Sequence, residues 1–358
     1  MTRLHVLTDP PQNQNTIAFL APILFNARLL GDVGIELEVF DHQSDRLLDC
    51  DVLAINSRFW SGAWSRHRDR ALAWLDDARA RVGRLLFFDR TSTPGQVVGD
   101  VLPMVDRYFK TALYSDRGNY RRAVYGSRLF SEFYHRECGI RDDGDPRAMA
   151  ISSSDIGKLA VSWNTGLANY SLLGPRLSAL YRLVPIRALL APPHGFTRPR
   201  RSRPIDVSCR MGLRYKYATV GYQRQRMAER LSRHRRTDRI SKLAYVRELT
   251  RSKIVASPFG YSEINYKDFE VFIAGGILLK PDMQHLETWP NLYIDGETFV
   301  AHRWDLSDVD EKIDGILSDY PTGIAIAEAA QNRYRAATCG SEGRSAFVDR
   351  FAGFVYGR

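Results

Sequence analysis

The stretch Ser257–Asp282, SPFGYSEINYKDFEVFIAGGILLKPD, decides how the rest of this 358-residue chain is read. Taken as a helix from Tyr261 to Ala274, it places Ile264, Val271 and Phe272 on one side, with Phe269 widening the apolar arc. Glu263, Lys267 and Glu270 fall together on another side, because seven residues are close to two turns. Gly275 and Gly276 then release the chain into ILLKP, apolar enough for a buried parallel strand. Loop, helix, glycine turn and buried strand in this order make half of a parallel α/β unit.

Working outward, the same alternation surrounds the stretch. IDVSCRMG and KIVASPFG read as strands, and TVGYQRQRMAERLSRH and KLAYVRELTRS as helices. Downstream, NLYID is a short segment and LSDVDEKIDGILSD a helix, with Ser307 as cap, Asp310 three residues on, and Val309, Ile313, Ile316 and Leu317 as its buried stripe. TGIAIAEAAQNRYRAAT and SAFVDRFAGFVYG close the chain as helices. At the other end, RLHVLTD is a strand ending in Asp9, PPQNQNT a loop, and IAFLAPILFNARLLG a helix with Pro22 as a kink and Gly31 as its stop. ELEVF, DVLAINS and RLLFFD are further strands around the helical RALAWLDDARARVG, whereas Gly118–Leu190 gives no clear pattern. APPHGFTRPRRSRP, Ala191–Pro204, is dense in breakers and reads as a linker. The expected class is α/β: two units flanking a cleft lined by loops at the strands' carboxyl ends.

Composition bounds the function. With 44% hydrophobic residues the chain can fill two cores, and its four scattered cysteines form no CxxC pair. No secretory pattern opens it, and IAFLAPILF falls well short of the roughly 20 residues needed to cross a bilayer, so a soluble, cytoplasmic protein is expected. The net charge of +10 is local: Thr197–Arg239 holds fourteen Lys or Arg against three acids, 14 − 3 = +11. Nucleic acid is not expected as a partner, because few aromatics interleave with these arginines. The basic stretch 198–239 suits peripheral contact with an anionic membrane instead.

The loop SPFGYS feeds a helix start, where free N–H groups and the dipole favour an anion, and Gly260 lets that anion approach. A carboxylate two turns on lies about 10 Å away, suiting a molecule with phosphates at one end and hydroxyls at the other. The spacing also suits plain Glu263–Lys267 and Lys267–Glu270 ion pairs, worth roughly 0.2–0.5 kcal/mol each.

Residues Ser252–Tyr293 resemble the donor-binding segment of GT-B glycosyltransferases, in particular the bacterial and viral proteins similar to glycosyltransferase group 1. Glu270 falls on that family's ribose-binding position and IAGGILLKP on its turn and strand. The position eight before Glu270 is Ser262, and Glu263 stands seven before it, so no stereochemical outcome is inferred. The resemblance implies two Rossmann-like domains facing across a cleft, 1–195 for the acceptor and 196–340 for the nucleotide sugar, with a helix in 341–358 crossing back. It implies transfer of a sugar from a nucleotide diphosphate to a glycan or lipid-linked acceptor, with no cofactor and no metal. Among the residues that would hold the donor are Arg210, Arg214 and Lys216 on the diphosphate, and Gly260, Ser262, Glu263, Tyr266 and Glu270 in the quoted stretch. His285 and Tyr293, in MQHLETWPNLY, complete the set by bonding a hydroxyl or stacking on a base.

A general base would come from the first unit, where Asp9 and Asp89 end strands, and the amides of PPQNQNT suit sugar hydroxyls. DDGD, Asp142–Asp145, reads as an exposed turn, metal-ligand spacing is absent, and the Gly-Lys of SSSDIGKLA lacks a phosphate-binding loop. Two other classes stay open: a nucleotide-sugar epimerase or hydrolase on the same fold, and a non-catalytic cationic surface-binding module.

Overall fold

The structure is a computed structural model that describes all residues except 12, 61–63, 65 and 233–236. Short apolar strands alternating with helices assemble a first parallel sheet. In chain order it is built from β1 (Thr2–Leu7), α1 (Gln14–Phe25), α2 (Ala27–Asp32), β2 (Ile35–Phe40), β3 (Val52–Asn56), α3 (Arg68–Arg81), β4 (Arg84–Asp89) and β5 (Arg107–Lys110). There follow β6 (Ala112–Tyr114), α4 (Leu129–Cys138), α5 (Ser153–Ile156), β7 (Leu159–Val161) and α6 (Gly174–Leu180). Six strands pair in the order β2-β1-β3-β4-β5-β7, all parallel. All five β3 residues are buried, as a strand covered on both faces requires. The order reverses between β1 and β3, where the loops leaving their carboxyl ends part and open a crevice.

The second unit runs through β8 (Ile205–Ser208), α7 (Ala218–Leu231), α8 (Lys242–Arg251), β9 (Ser252–Ala256), α9 (Tyr266–Ala274), β10 (Ile277–Pro281), β11 (Leu286–Thr288) and β12 (Val300–His302). Then come α10 (Val309–Ser318), α11 (Tyr320–Cys339) and α12 (Ser341–Tyr356). Strands β8-β9-β10-β12 form a parallel sheet, so the two Rossmann-like units expected from the sequence are present.

Two devices lock the units together. β11 pairs antiparallel with β6 of the first unit, Leu286 opposite Tyr114. Helix α12 returns to the first sheet: Phe354 packs 4.3 Å from Phe109, Phe347 and Phe351 meet Trp163 edge-on, and Arg350 donates to the Ser162 carbonyl. The crossing back of the last helix, expected from the resemblance, is therefore present. Among the described residues no helix is long and apolar enough to cross a membrane.

Local chemistry moves several boundaries. The helix of the quoted stretch starts at Tyr266, five residues later than expected. Asp268 reaches back to the Asn265 N–H (3.0 Å), a first-turn acid satisfying an otherwise orphaned donor. The loop before it is set by Arg224, which donates to the carbonyls of Phe259 and Pro258. Gly275 ends the helix at φ +67°, and a Cβ there would lie 2.3 Å from the Thr197 carbonyl oxygen, so the glycine turn doubles as the seat of the linker. Pro22 lies inside α1, but the first break comes at Asn26, whose side chain donates to the Pro22 carbonyl. Asp308, not Ser307, precedes α10; the buried Val309, Ile313 and Ile316 are as expected.

Candidate functional site

Loops from the carboxyl ends of both sheets enclose a cavity of about 380 Å3. The first unit contributes Asn15 after β1, Arg58 after β3, Arg90–Ser92 after β4, Thr111 after β5 and Thr165 after β7. The second contributes Tyr215 and the Gly260–Ser262 and Ile264–Tyr266 segments, so the amino end of α9 opens on the space. Tyr266 joins the two walls, its hydroxyl donating to Asn15 Oδ1 and its ring stacking on Tyr170 at 4.9 Å. Arg58, Arg90, Thr91 and Ser92 also line a second cavity of about 370 Å3 within the first unit, with Trp60, Trp64 and Gln96. One arginine-bearing wall thus faces two compartments.

Arg90 is the exceptional group. It is 5% exposed, and its Nε and Nη1 are buried without a hydrogen-bond partner. Burial pushes its guanidinium down to about 10, with only partial relief from the phenol groups of Tyr266 and Tyr170. Two buried charged donors without partners, beside hydroxyls and amides, are unusual in a folded interior, where such donors are paired.

Asp89 has its partners already. Lys110 donates to it at 2.7 Å and Tyr108 at 2.8 Å, and the Thr91 N–H at 2.8 Å. Burial pushes its carboxyl up, but the Lys110 charge together with the hydrogen bonds from Lys110, Thr91 and Tyr108 outweighs this and lowers it. It borders the second cavity, as expected of a strand-end acid, but its carboxylate there neutralises the buried Lys110. Asp9 takes hydrogen bonds from Thr16 (2.6 Å) and Asn13 (3.2 Å) at the start of α1 and does not line the cavity, while Asn15 of the same amide-rich loop does.

The second unit's basic groups depart most from expectation. Arg210 is spent internally, on both Glu248 oxygens and on Asp238, and so does not face the cleft. Arg214 and Lys216 are exposed and do not line the cleft either; Arg214 borders a shallow outer depression beside Met211 and Thr237. Further members of the 198–239 stretch are structural: buried Arg203 donates to the carbonyls of Leu249, Ser252 and Ala274, and Arg230 pairs with Asp310. Arg233, Arg235 and Arg236 lie outside the described residues. The run is therefore no single cationic face.

Glu263 and Glu270 do not share a helical face, because Glu263 lies in the loop before α9. Its side chain, 1% exposed, turns inward, with Oε1 3.8 Å from His285 Nε2. Its charge is felt by Arg128 and Lys110 of the first unit and Lys280 of the second, a longer-range attraction across the junction. His285 stands edge-on to Trp304 at 4.9 Å and does not line the cleft. Glu270 is held by Lys242 and by the Tyr245 hydroxyl (2.9 Å), between α8 and α9 rather than in the cavity wall. Gly260, Ser262 and Tyr266 do line it. Tyr293 donates to Asp268 at 2.9 Å inside the second unit.

Asp268 was passed over in the sequence, although it lies between the two emphasised acids. Buried with Lys280 at 3.2 Å, and bonded to Ser257 and Tyr293, it repeats the Asp89–Lys110–Tyr108 arrangement of the first unit. Asp142 is another correction. It is buried, and its carboxylate accepts from the Thr219 N–H (2.8 Å) and hydroxyl (2.9 Å) at the start of α7. Arg58 and Arg90 were missed too, although NSR after DVLAI and DRTS after RLLFF carry the signal: an arginine just beyond a parallel strand's carboxyl end.

No family model and no curated relative matches the chain. Among solved structures it is similar to Anabaena HepE in complex with UDP-glucose, at 11% identity and TM-score 0.44 over 100% of both chains. It is also similar to sucrose-phosphate synthase from Thermosynechococcus elongatus, at 10% identity and TM-score 0.46 over 100% of this chain and 99% of that one. A glycosyltransferase from Rickettsia africae gives 9% identity and TM-score 0.44 over 99% and 98%. At these values the likeness provides no residue-level equivalence.

Proposed function

We propose that the cleft binds a nucleotide-diphosphate sugar and that the enzyme transfers the sugar to a glycan or lipid-linked acceptor. The observation that carries this reading is the buried Arg90 guanidinium, two of whose donors lack partners, in a cavity otherwise lined by hydroxyls, amides and tyrosines. A diphosphate satisfies those donors, and sugar and ribose hydroxyls suit Asn15, Thr91, Ser92, Thr111 and Thr165.

In the reaction, the bond between the anomeric carbon and the diphosphate oxygen breaks, and its electron pair stays on the departing diphosphate. Arg58, Arg90 and the amino end of α9 stabilise that growing charge in a site that needs no reorganisation. With two arginines supplying positive charge, the reading requires no metal. The acceptor hydroxyl oxygen bonds to the anomeric carbon, and its proton passes through an intervening water to a carboxylate, for which we retain Asp9, half-buried behind the wall that Asn15 forms and outside both cavity linings. The compartment with Trp60 and Trp64 would take the acceptor, since indole rings stack against sugar faces.

Calorimetry and thermal shift with nucleoside diphosphates and nucleotide sugars test the reading on wild type, Arg90→Gln and Glu270→Ala. Preferential binding by wild type, abolished by the first change, is expected. The second should weaken binding less, because Lys242 and Tyr245 already occupy that carboxylate. An absence of nucleotide binding by wild type would sink the proposal, and sugar release without added acceptor would move it to a hydrolase.

A further inference from the structure

Large apolar side chains exposed to solvent concentrate in one segment. Leu172, Leu173, Leu180, Leu183, Val184 and Ile186 are between 39% and 67% exposed, and they fall within fifteen residues. This is half of all the large hydrophobic side chains recorded as exposed among the described residues. Scattered single exposures are ordinary; a cluster of this kind marks a surface that something covers.

The segment is built rather than loose. Asn169 ties its two ends together, donating to the Ala191 carbonyl at 3.0 Å and accepting from the Ser171 N–H at 3.0 Å. Gly174 sits so close that a Cβ there would lie 2.3 Å from Asn169 Oδ1. Gly174, Ser178 and Leu190 are buried beneath, where α6 packs on α1, so the aliphatic side chains above are held outward.

Charge identifies the occupant. Arg176, Arg182 and Arg187 are exposed between the apolar residues, and among the described residues none makes an ion pair. From Gly157 to Ile205 there are eight Lys or Arg and no Asp or Glu at all. A second copy would bring like charges face to face. The aromatic anchors that dominate protein interfaces are represented only by Tyr181. Aliphatic tips with arginines between them match a lipid surface, in which the chains enter the acyl boundary and guanidinium heads stay at the phosphates.

We propose that residues 172–187 dock this protein peripherally onto an anionic bilayer, whatever the cleft binds. The surface begins next to Tyr170, which stacks on the cavity-lining Tyr266, so docking sets the cleft beside the membrane.

Flotation of the full chain with vesicles tests it, comparing phosphatidylcholine alone with phosphatidylcholine containing about one third phosphatidylglycerol. Wild type should bind the anionic vesicles at least about tenfold more tightly, and added salt should weaken the binding. Leu183→Asp with Ile186→Asp, and separately Arg182→Glu with Arg187→Glu, should each lower binding about tenfold or more, with unchanged thermal unfolding and nucleotide affinity. Equal binding to both vesicles, or variants that bind like wild type, would overturn the proposal. So would loss of binding only on reversing Arg198, Arg200 and Arg201, or a concentration-dependent dimer that Leu183→Asp abolishes.

Discussion

Replacing Arg90 with glutamine should make the free protein more stable and its binding worse. At pH 7, below both the folded and unfolded values, this arginine is charged in both states, so the folded protein carries the whole burial penalty. The fall from the ordinary guanidinium value to about 10 corresponds to about 3 kcal/mol. Against this stands the lost packing on Phe19, whose ring centre is 5.9 Å from the guanidinium carbon, worth about 0.5–1 kcal/mol. A net gain of about 2 kcal/mol follows, or a melting temperature higher by about 3 °C. Binding moves the other way. Losing two charge-assisted hydrogen bonds to phosphate should weaken a nucleoside diphosphate by about 3 kcal/mol, roughly a hundredfold. Scanning calorimetry of the free proteins and titration calorimetry with ligand read both numbers on the same preparations. A destabilised Arg90→Gln that binds nucleotide as wild type does would show that Arg90 is a core residue and that the cleft has no anion site.

The remaining predictions separate structural acids from functional ones. Asp89→Asn should lower stability by about 3 kcal/mol, measured by denaturant unfolding, because it leaves Lys110 buried and charged without its counter-ion. Asp9→Asn should instead lower turnover at least about a hundredfold with a stability loss under about 1 kcal/mol, since Asn13 is exposed and an asparagine keeps a carbonyl oxygen that accepts from the buried Thr16 hydroxyl; equal activity would remove Asp9 as the proton acceptor. His302, held down to about 4 by burial, makes stability depend on acid. The unfolded chain binds the extra proton between about pH 6.5 and 4, so stability is lost as pH falls through that window, by about 3 kcal/mol. His302→Asn should flatten that part of the stability profile.

What was legible in the sequence was local. The alternation of ILLKP, KIVAS, DVLAIN and RLLFFD with amphipathic helices specifies two parallel sheets, because a strand covered on both faces needs a continuous apolar run. Gly275 signalled a helix end, and SAFVDRFAGFVYG its own packing face. Partnership is not local. Whether an arginine faces a ligand or a carboxylate depends on residues dozens of positions away: Glu248 and Asp238 claim Arg210, while no described residue satisfies two donors of Arg90. Periodicity likewise could not reveal that Asp268 would fold back on Asn265, shorten the helix and turn Glu263 inward. The sequence by itself determined the elements and their order, through side-chain periodicity and backbone preference. Tertiary structure alone decided which charges were neutralised in the interior and which were left to meet something else, because burial and pairing are properties of the assembled chain.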